Sequence, residues 1–180
     1  MSDHPRPSLT ADIAVLRQNS GARQLLLIKR RNPPYRDCRA LPGGFLDPNE
    51  TIEACARREL AEETCIASAA KKLYPLGCFS RPERDPRGWV VSFAFLILAD
   101  EKDNAVAADD AADAQWFDAA LDREGGEFAL SLCCGEEKLS ARLRWNELDS
   151  RFETLSSDGI AFDHSEIIAA ALKTAADTAR

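Results

Sequence analysis

Residues 41–66 read LPGGFLDPNETIEACARRELAEETCI, a proline-glycine-glycine turn followed by an Ala/Glu/Arg-rich run of helical composition from about Thr51 to Thr64. In a helix, positions i, i+3 and i+4 share a face, so Glu59, Glu62 and Glu63 point into one small volume from a single turn. Left alone, three carboxylates so placed repel one another and their pKa values rise. A chain that keeps such a turn either leaves it in water as a charge-laced face, the ordinary fate of a Glu/Arg run, or brings a cation to it. The turn in front of the helix favours the second. Gly43 and Gly44 permit a close backbone approach that aims a carbonyl or amide at a ligand. Clustered carboxylate oxygens suit hard ions, and Mg²⁺ in particular binds through one or two carboxylates together with waters and substrate phosphates. Arg58 pairs with Glu62 at i+4 or reaches back to Glu50, fixing which carboxylate faces the ion.

Apolar runs at Ala11–Leu16 and Gln24–Lys29, around a polar stretch with Gly21, read as a strand pair. Leu73–Phe79 and Trp89–Leu98 read as strands around a charged loop, and Ala114–Phe117 as a fifth, short strand after an acidic loop. Period-two alternation in Phe128–Leu132 and Leu139–Leu143, across Gly135, predicts an additional C-terminal hairpin. A terminal helix starts near Asp163, which forms a capping-box pattern with Glu166. Strands on both sides of one central helix, closed by a second, predict an α/β (α+β) chain: one domain over residues 1–180, core about 10–176, with a mixed sheet between helices.

Net charge −7 argues against non-specific binding to nucleic acid or anionic membranes, so an anionic ligand must be held by local arginines or bound cations. No apolar stretch reaches the ~20 residues of a bilayer span, and the first twenty residues have no apolar signal core, which places the chain in the cytoplasm. Six cysteines without a C-x2-C pair read as reduced thiols rather than a zinc site.

The run from Gly44 to Ile66 resembles the signature of the Nudix hydrolases, G-x5-E-x7-R-E-U-x-E-E-x-G-U, matched at Gly44, Glu50, Arg58, Glu59, Leu60, Glu62, Glu63 and Ile66. The resemblance implies an α/β/α sandwich with a mixed sheet. It also implies hydrolysis of a nucleoside diphosphate derivative by water, with Mg²⁺ or Mn²⁺ held by Glu59, Glu62, Glu63 and the Gly44 carbonyl. Arg58, Glu59 and Glu62 are the catalytic candidates within the signature; Glu83 and Asp85 are the candidates for a base supplied by a later loop. That loop, Ser80–Gly88, and Arg31–Tyr35 resemble ADP-ribose pyrophosphatase-like members, which implies ADP-ribose as the small-molecule substrate, cleaved to AMP and ribose 5-phosphate. Arg39, Arg81, Arg84 and Arg87 are candidates for phosphate oxygens, and Phe45 and Tyr35 for a base. Asp113 is equally a further ligand or a solvated acid beside Asp109 and Asp110, and His164 reads as structural.

Two alternatives remain open: a nucleoside-triphosphate pyrophosphohydrolase, and an ADP-ribose sensor of the kind that carries a DNA-binding module. Residues 127–180 hold six Lys/Arg against ten Asp/Glu, the wrong sign for gripping DNA. Members of this kind are often dimers, so a homodimer is an expectation. One signature position departs: Cys65 stands where the family has glycine, so either it takes a left-handed conformation at a cost of about 1–2 kcal/mol or the helix ends differently.

Overall fold

The computed structural model describes residues 4–66, 71–103 and 111–178. The strands are β1 (Ser8–Asn19), β2 (Ala22–Arg30), β3 (Arg39–Ala40), β4 (Gly43–Phe45), β5 (Tyr74–Phe79), β6 (Val90–Leu98), β7 (Ala111–Glu124), β8 (Glu127–Cys134), β9 (Glu137–Asn146) and β10 (Arg151–Asp158). The helices are α1 (Ile52–Thr64), between β4 and β5, and α2 (His164–Thr178), after β10. Among the described residues the strands form one sheet in the order β10-β9-β8-β7-β2-β1-β6-β5, with β3 paired to β2 and β4 to β1. The pair β1–β6 is parallel and the others are antiparallel, so the sheet is mixed.

Alternation in the central strands sorts their side chains between two cores. Ala11, Ile13 and Val15 of β1, Leu26 of β2, and Phe95 and Ile97 of β6 pack with Cys55, Ala56 and Leu60 of α1. Ala14, Leu16, Leu25, Leu27, Ala94 and Leu96 face the other way, onto Ile167, Ile168, Ala171 and Leu172 of α2. Helix, sheet and helix therefore form the three layers expected. The predicted hairpin is β8–β9, but it is no appendage. It continues a fourteen-residue β7 and is followed by β10, a strand whose sequence RFETLSSD gave no alternation to read. The acidic loop with Asp109 and Asp110 lies outside the described residues.

Thr51 caps α1, its hydroxyl accepting from the Ala54 N–H at 3.2 Å, and Cys65 ends it at φ 56°, ψ 13° with its N–H on the Ala61 carbonyl. The left-handed position is thus occupied by a residue with a β-carbon. Cys65→Gly is expected to hold or raise Tm and to leave activity intact, measured by thermal melts and turnover side by side; a large loss of activity would give Cys65 a role of its own. The capping box at α2 is not formed. Asp163 gives its carboxylate to Arg84, and Glu166 accepts from the Thr154 N–H and Arg81.

Candidate active site

The glycine turn is pinned before it meets the helix. The Ile13 N–H donates to the Pro42 carbonyl at 2.9 Å, and the Leu41 N–H donates to His164 Nδ1 at 2.9 Å. A β-carbon on Gly43 would stand 2.3 Å from the Ala11 carbonyl oxygen, and one on Gly44 2.3 Å from the Glu59 carboxyl group. Bare backbone at both positions is what allows α1 to lay a carboxylate against the turn. Glu63, one helical turn on, accepts the Gly43 N–H at 2.9 Å. Burial pushes the Glu63 carboxyl up to about 8 despite that hydrogen bond, and burial also raises Glu59.

Arg58 organises the acids around it. It reaches Glu50 at 2.6 Å, Glu59 at 2.7 Å, Glu62 at 3.2 Å and the Phe45 carbonyl at 3.1 Å. Its hydrogen bond holds Glu50 down at about 2, while the acids keep the guanidinium above its ordinary value. The three glutamates consequently do not converge as expected. Glu59 and Glu63 face the glycine turn, whereas Glu62, 48% exposed, leans out to Arg58. Among the described residues no three acidic, histidine or cysteine side chains form a ready metal-holding group. The oxygens still fit a hard divalent ion. Glu59 fills the space left by the missing Gly44 β-carbon, and the buried Glu63 is raised by the very desolvation that a bound cation offsets.

The other candidates divide sharply. Arg87 stands at the cleft, its guanidinium between the Phe45 and Phe162 rings at 4.9 and 5.2 Å. Asp85, expected as a base, is buried with both oxygens on Arg87, which helps hold its carboxyl below the usual range although burial opposes. Glu83 lines a separate groove beside Trp89. Arg84, expected at the substrate, is buried in a two-pronged pair with Asp163, at 2.8 and 2.7 Å, and touches Asp12 at 3.4 Å. Arg39 is likewise committed, to Glu137 at 2.8 Å and Asp113 at 3.1 Å, which also takes Asp113 out of the ligand set; Arg81 pairs with Glu166 at 2.9 Å. Arg39 and Arg84 have their charge spent inside the protein, and Arg81, 43% exposed, gives its charge to the buried Glu166, which composition and loop position do not reveal. His164 is structural as expected, and burial lowers its pKa, keeping the ring neutral.

Two features escaped the sequence reading. Arg30, in the basic run before the signature, opens onto the same cleft as Glu59 and Glu63, about 390 Å³ in volume. Asp12, a lone acid inside an apolar strand, accepts from Ser92 Oγ at 2.5 Å and joins β1 to Arg84 and His164. An acid among buried apolar residues was the one signal for it.

The model of the NUDIX domain matches residues 7–124. The ADP-ribose pyrophosphatase of Methanocaldococcus jannaschii is 43% identical over 114 residues, 62% of this chain and 62% of that protein. The ADPR responsive transcriptional repressor NtrR of Acinetobacter baylyi is 40% identical over 103 residues, 56% of this chain and 40% of its own length. The chain thus spans between two fifths and two thirds of these curated relatives. A MutT/nudix family protein from Enterococcus faecalis, solved as a crystal structure, superposes with TM-score 0.82 at 36% identity, covering 98% of this chain and 65% of that one. Since the matched segment runs from the start of β1 to the end of β7 and carries the whole unit of glycine turn and acidic helix, the chain belongs to the NUDIX domain family.

Proposed function

We propose that this protein hydrolyses the diphosphate of a nucleoside diphosphate derivative, ADP-ribose foremost, to AMP and ribose 5-phosphate, with Mg²⁺ or Mn²⁺ as cofactor. The observation that carries the reading is one cleft lined both by carboxylates, Glu59 and Glu63, and by guanidiniums, Arg30, Arg58 and Arg87. Glu59, Glu63 and the Gly44 carbonyl hold the ion, with Glu62 completing the set or taking the proton of the attacking water. When bound, the divalent ion supplies charge neutralisation on the diphosphate and a water of lowered pKa. Arg58 sets the reach of Glu59 and Glu62, and Arg87 meets phosphate oxygens. Cytoplasmic location and a homodimer belong to the same proposal, the latter checked by sedimentation.

Product chromatography after incubation with ADP-ribose and either ion tests the activity. AMP together with ribose 5-phosphate is expected. Pyrophosphate released from a nucleoside triphosphate, with ADP-ribose untouched, would replace this reading with the triphosphate one. Tight binding of ADP-ribose without turnover would favour the sensor reading, to which the 40% identity with the NtrR repressor points.

The raised Glu63 carboxyl gives a pH test. Its unfolded value is 4.5 and its folded value about 8, so the metal-free fold gains stability from the protonated group below about 4.5 and loses that contribution as pH rises through about 8. A cation at Glu63 displaces that proton. The rise in Tm on adding Mg²⁺ or Mn²⁺ is therefore expected to be larger at pH 8.5 than at pH 6, by differential scanning fluorimetry; a rise independent of pH would remove Glu63 from the metal site.

A further inference from the structure

Phe162 lies outside the residues matched to the family, between β10 and α2, and its ring lines a smaller cavity of about 60 Å³ that adjoins the cleft and shares Arg30, Gly44 and Arg87 with it. The Arg30 guanidinium carbon sits over that ring at 4.8 Å and that of Arg87 at 5.2 Å. Two like charges are thus held on one aromatic surface. Arg87 has its counter-charge in Asp85, but Arg30 donates to the carbonyls of Pro34 at 2.9 Å and Asn32 at 3.4 Å, and no ion pair is formed with it among the described residues. Burial, and then the charge of Arg87, lower the Arg30 pKa against the opposing charges of Glu63 and Asp85. The backbone accepts strain to hold the arrangement. Phe162 has φ 53°, and Tyr35, whose ring packs on Phe162 at 4.8 Å, has φ 61°; both lie in the left-handed region that a bulky side chain avoids. Such outliers persist where the surrounding structure overrides local preference, and they gather at ligand sites.

We infer that Phe162 is a positioning residue whose ring fixes Arg30 and Arg87 as a paired anion site for the substrate's diphosphate, with Arg30 contacting it beside Arg87. The inference rests on the proposed reading of the cleft, but its chemistry is separable: the site recognises a diphosphate, whatever the diphosphate is attached to. Glu63 and Asp85 act on Arg30 through space without an ion pair, so a phosphate oxygen supplies the direct anionic contact. The ring keeps both guanidiniums in place before ligand arrives, which lowers the ordering cost of binding.

The probe is inorganic pyrophosphate with Mg²⁺, titrated calorimetrically into the full chain, alongside steady-state kinetics on ADP-ribose. Phe162→Leu keeps apolar volume against Ile28, Ala40 and Ala161 but removes the π face; Phe162→Tyr restores it. Phe162→Leu is expected to raise the pyrophosphate Kd about fivefold, and Arg30→Gln about tenfold or more, with Phe162→Tyr within about twofold of the parent. In Phe162→Leu, KM for ADP-ribose rises with Kd while kcat holds within about twofold, a split that loss of stability alone does not produce. Should Phe162→Leu fail to fold, Arg30→Gln and Arg30→Lys carry the test, Lys recovering part of the affinity. Kd values for Phe162→Leu and Arg30→Gln within twofold of the parent, or a parent that does not bind pyrophosphate at millimolar concentration, would overturn the inference even if ADP-ribose is cleaved. If ADP-ribose is not cleaved but both substitutions weaken pyrophosphate, the proposed substrate falls and the diphosphate site stands.

Discussion

Glu62→Gln is expected to lower turnover of ADP-ribose by about 10²–10⁴-fold, the span associated with losing a central proton-transfer group. The geometry makes this a clean test. Glu62 is half exposed and is one of four acids that Arg58 reaches, so Arg58 keeps Glu50 at 2.6 Å and Glu59 at 2.7 Å when Glu62 is neutralised. A surface change of this kind shifts stability by no more than about 0.5 kcal/mol. The melting temperature therefore reports folding and the rate reports chemistry, independently. Single-turnover rates at saturating Mg²⁺ are the measurement. Turnover within threefold of the parent would leave Glu62 as part of the salt-bridged helix face and move the base to Glu59.

Arg84→Met is expected to destabilise the fold by about 3–5 kcal/mol, the cost of removing one partner from a buried ion pair. Asp163 and Asp12, both nearly inaccessible, would keep their carboxylates without the guanidinium that bridges them. For a chain of this size the loss corresponds to a drop in Tm of about 6–20 °C. Calorimetry of the purified variant decides; a Tm within 2 °C of the parent would show that water reaches both acids and that the network is not the bolt between the Ser80–Gly88 loop and α2.

The two variants probe parts of the site that differ in how legible they were. Glu59, Glu62 and Glu63 were placed on one helix from spacing alone, because their relation is local. What spacing could not give was their final direction, which Arg58 and the Gly43 N–H decide. The arginines show the same limit more plainly. Arg39, Arg81, Arg84 and Arg87 look alike in sequence, and the first three are set apart by carboxylates remote along the chain, Glu137, Glu166 and Asp163 in turn, whereas Arg87 pairs locally with Asp85. Among the strands, Ala11–Leu16 reads as an apolar run because β1 is covered on both faces, its residues Ala11 to Leu16 all being buried with no alternating exposed set. The fifth strand was read as Ala114–Phe117, whereas β7 runs on to Glu124. Its second half, DAALDRE, has no strand-like composition and is held by register with β8.

The parallel pairing of β1 with β6 has a consequence in time. Ser8 lies opposite Val90, so a strand at the start of the described chain finds its neighbour some eighty residues later, and Leu41 meets its histidine only at position 164. Contacts of such long sequence separation close late and slow the search. On the ribosome, the signature helix can coil early, but the turn in front of it acquires its last anchor after nearly every other segment has emerged. A nascent chain interrupted before α2 would expose the apolar side of the central strands that α2 covers, and chaperones that recognise such surface would be expected to engage it there.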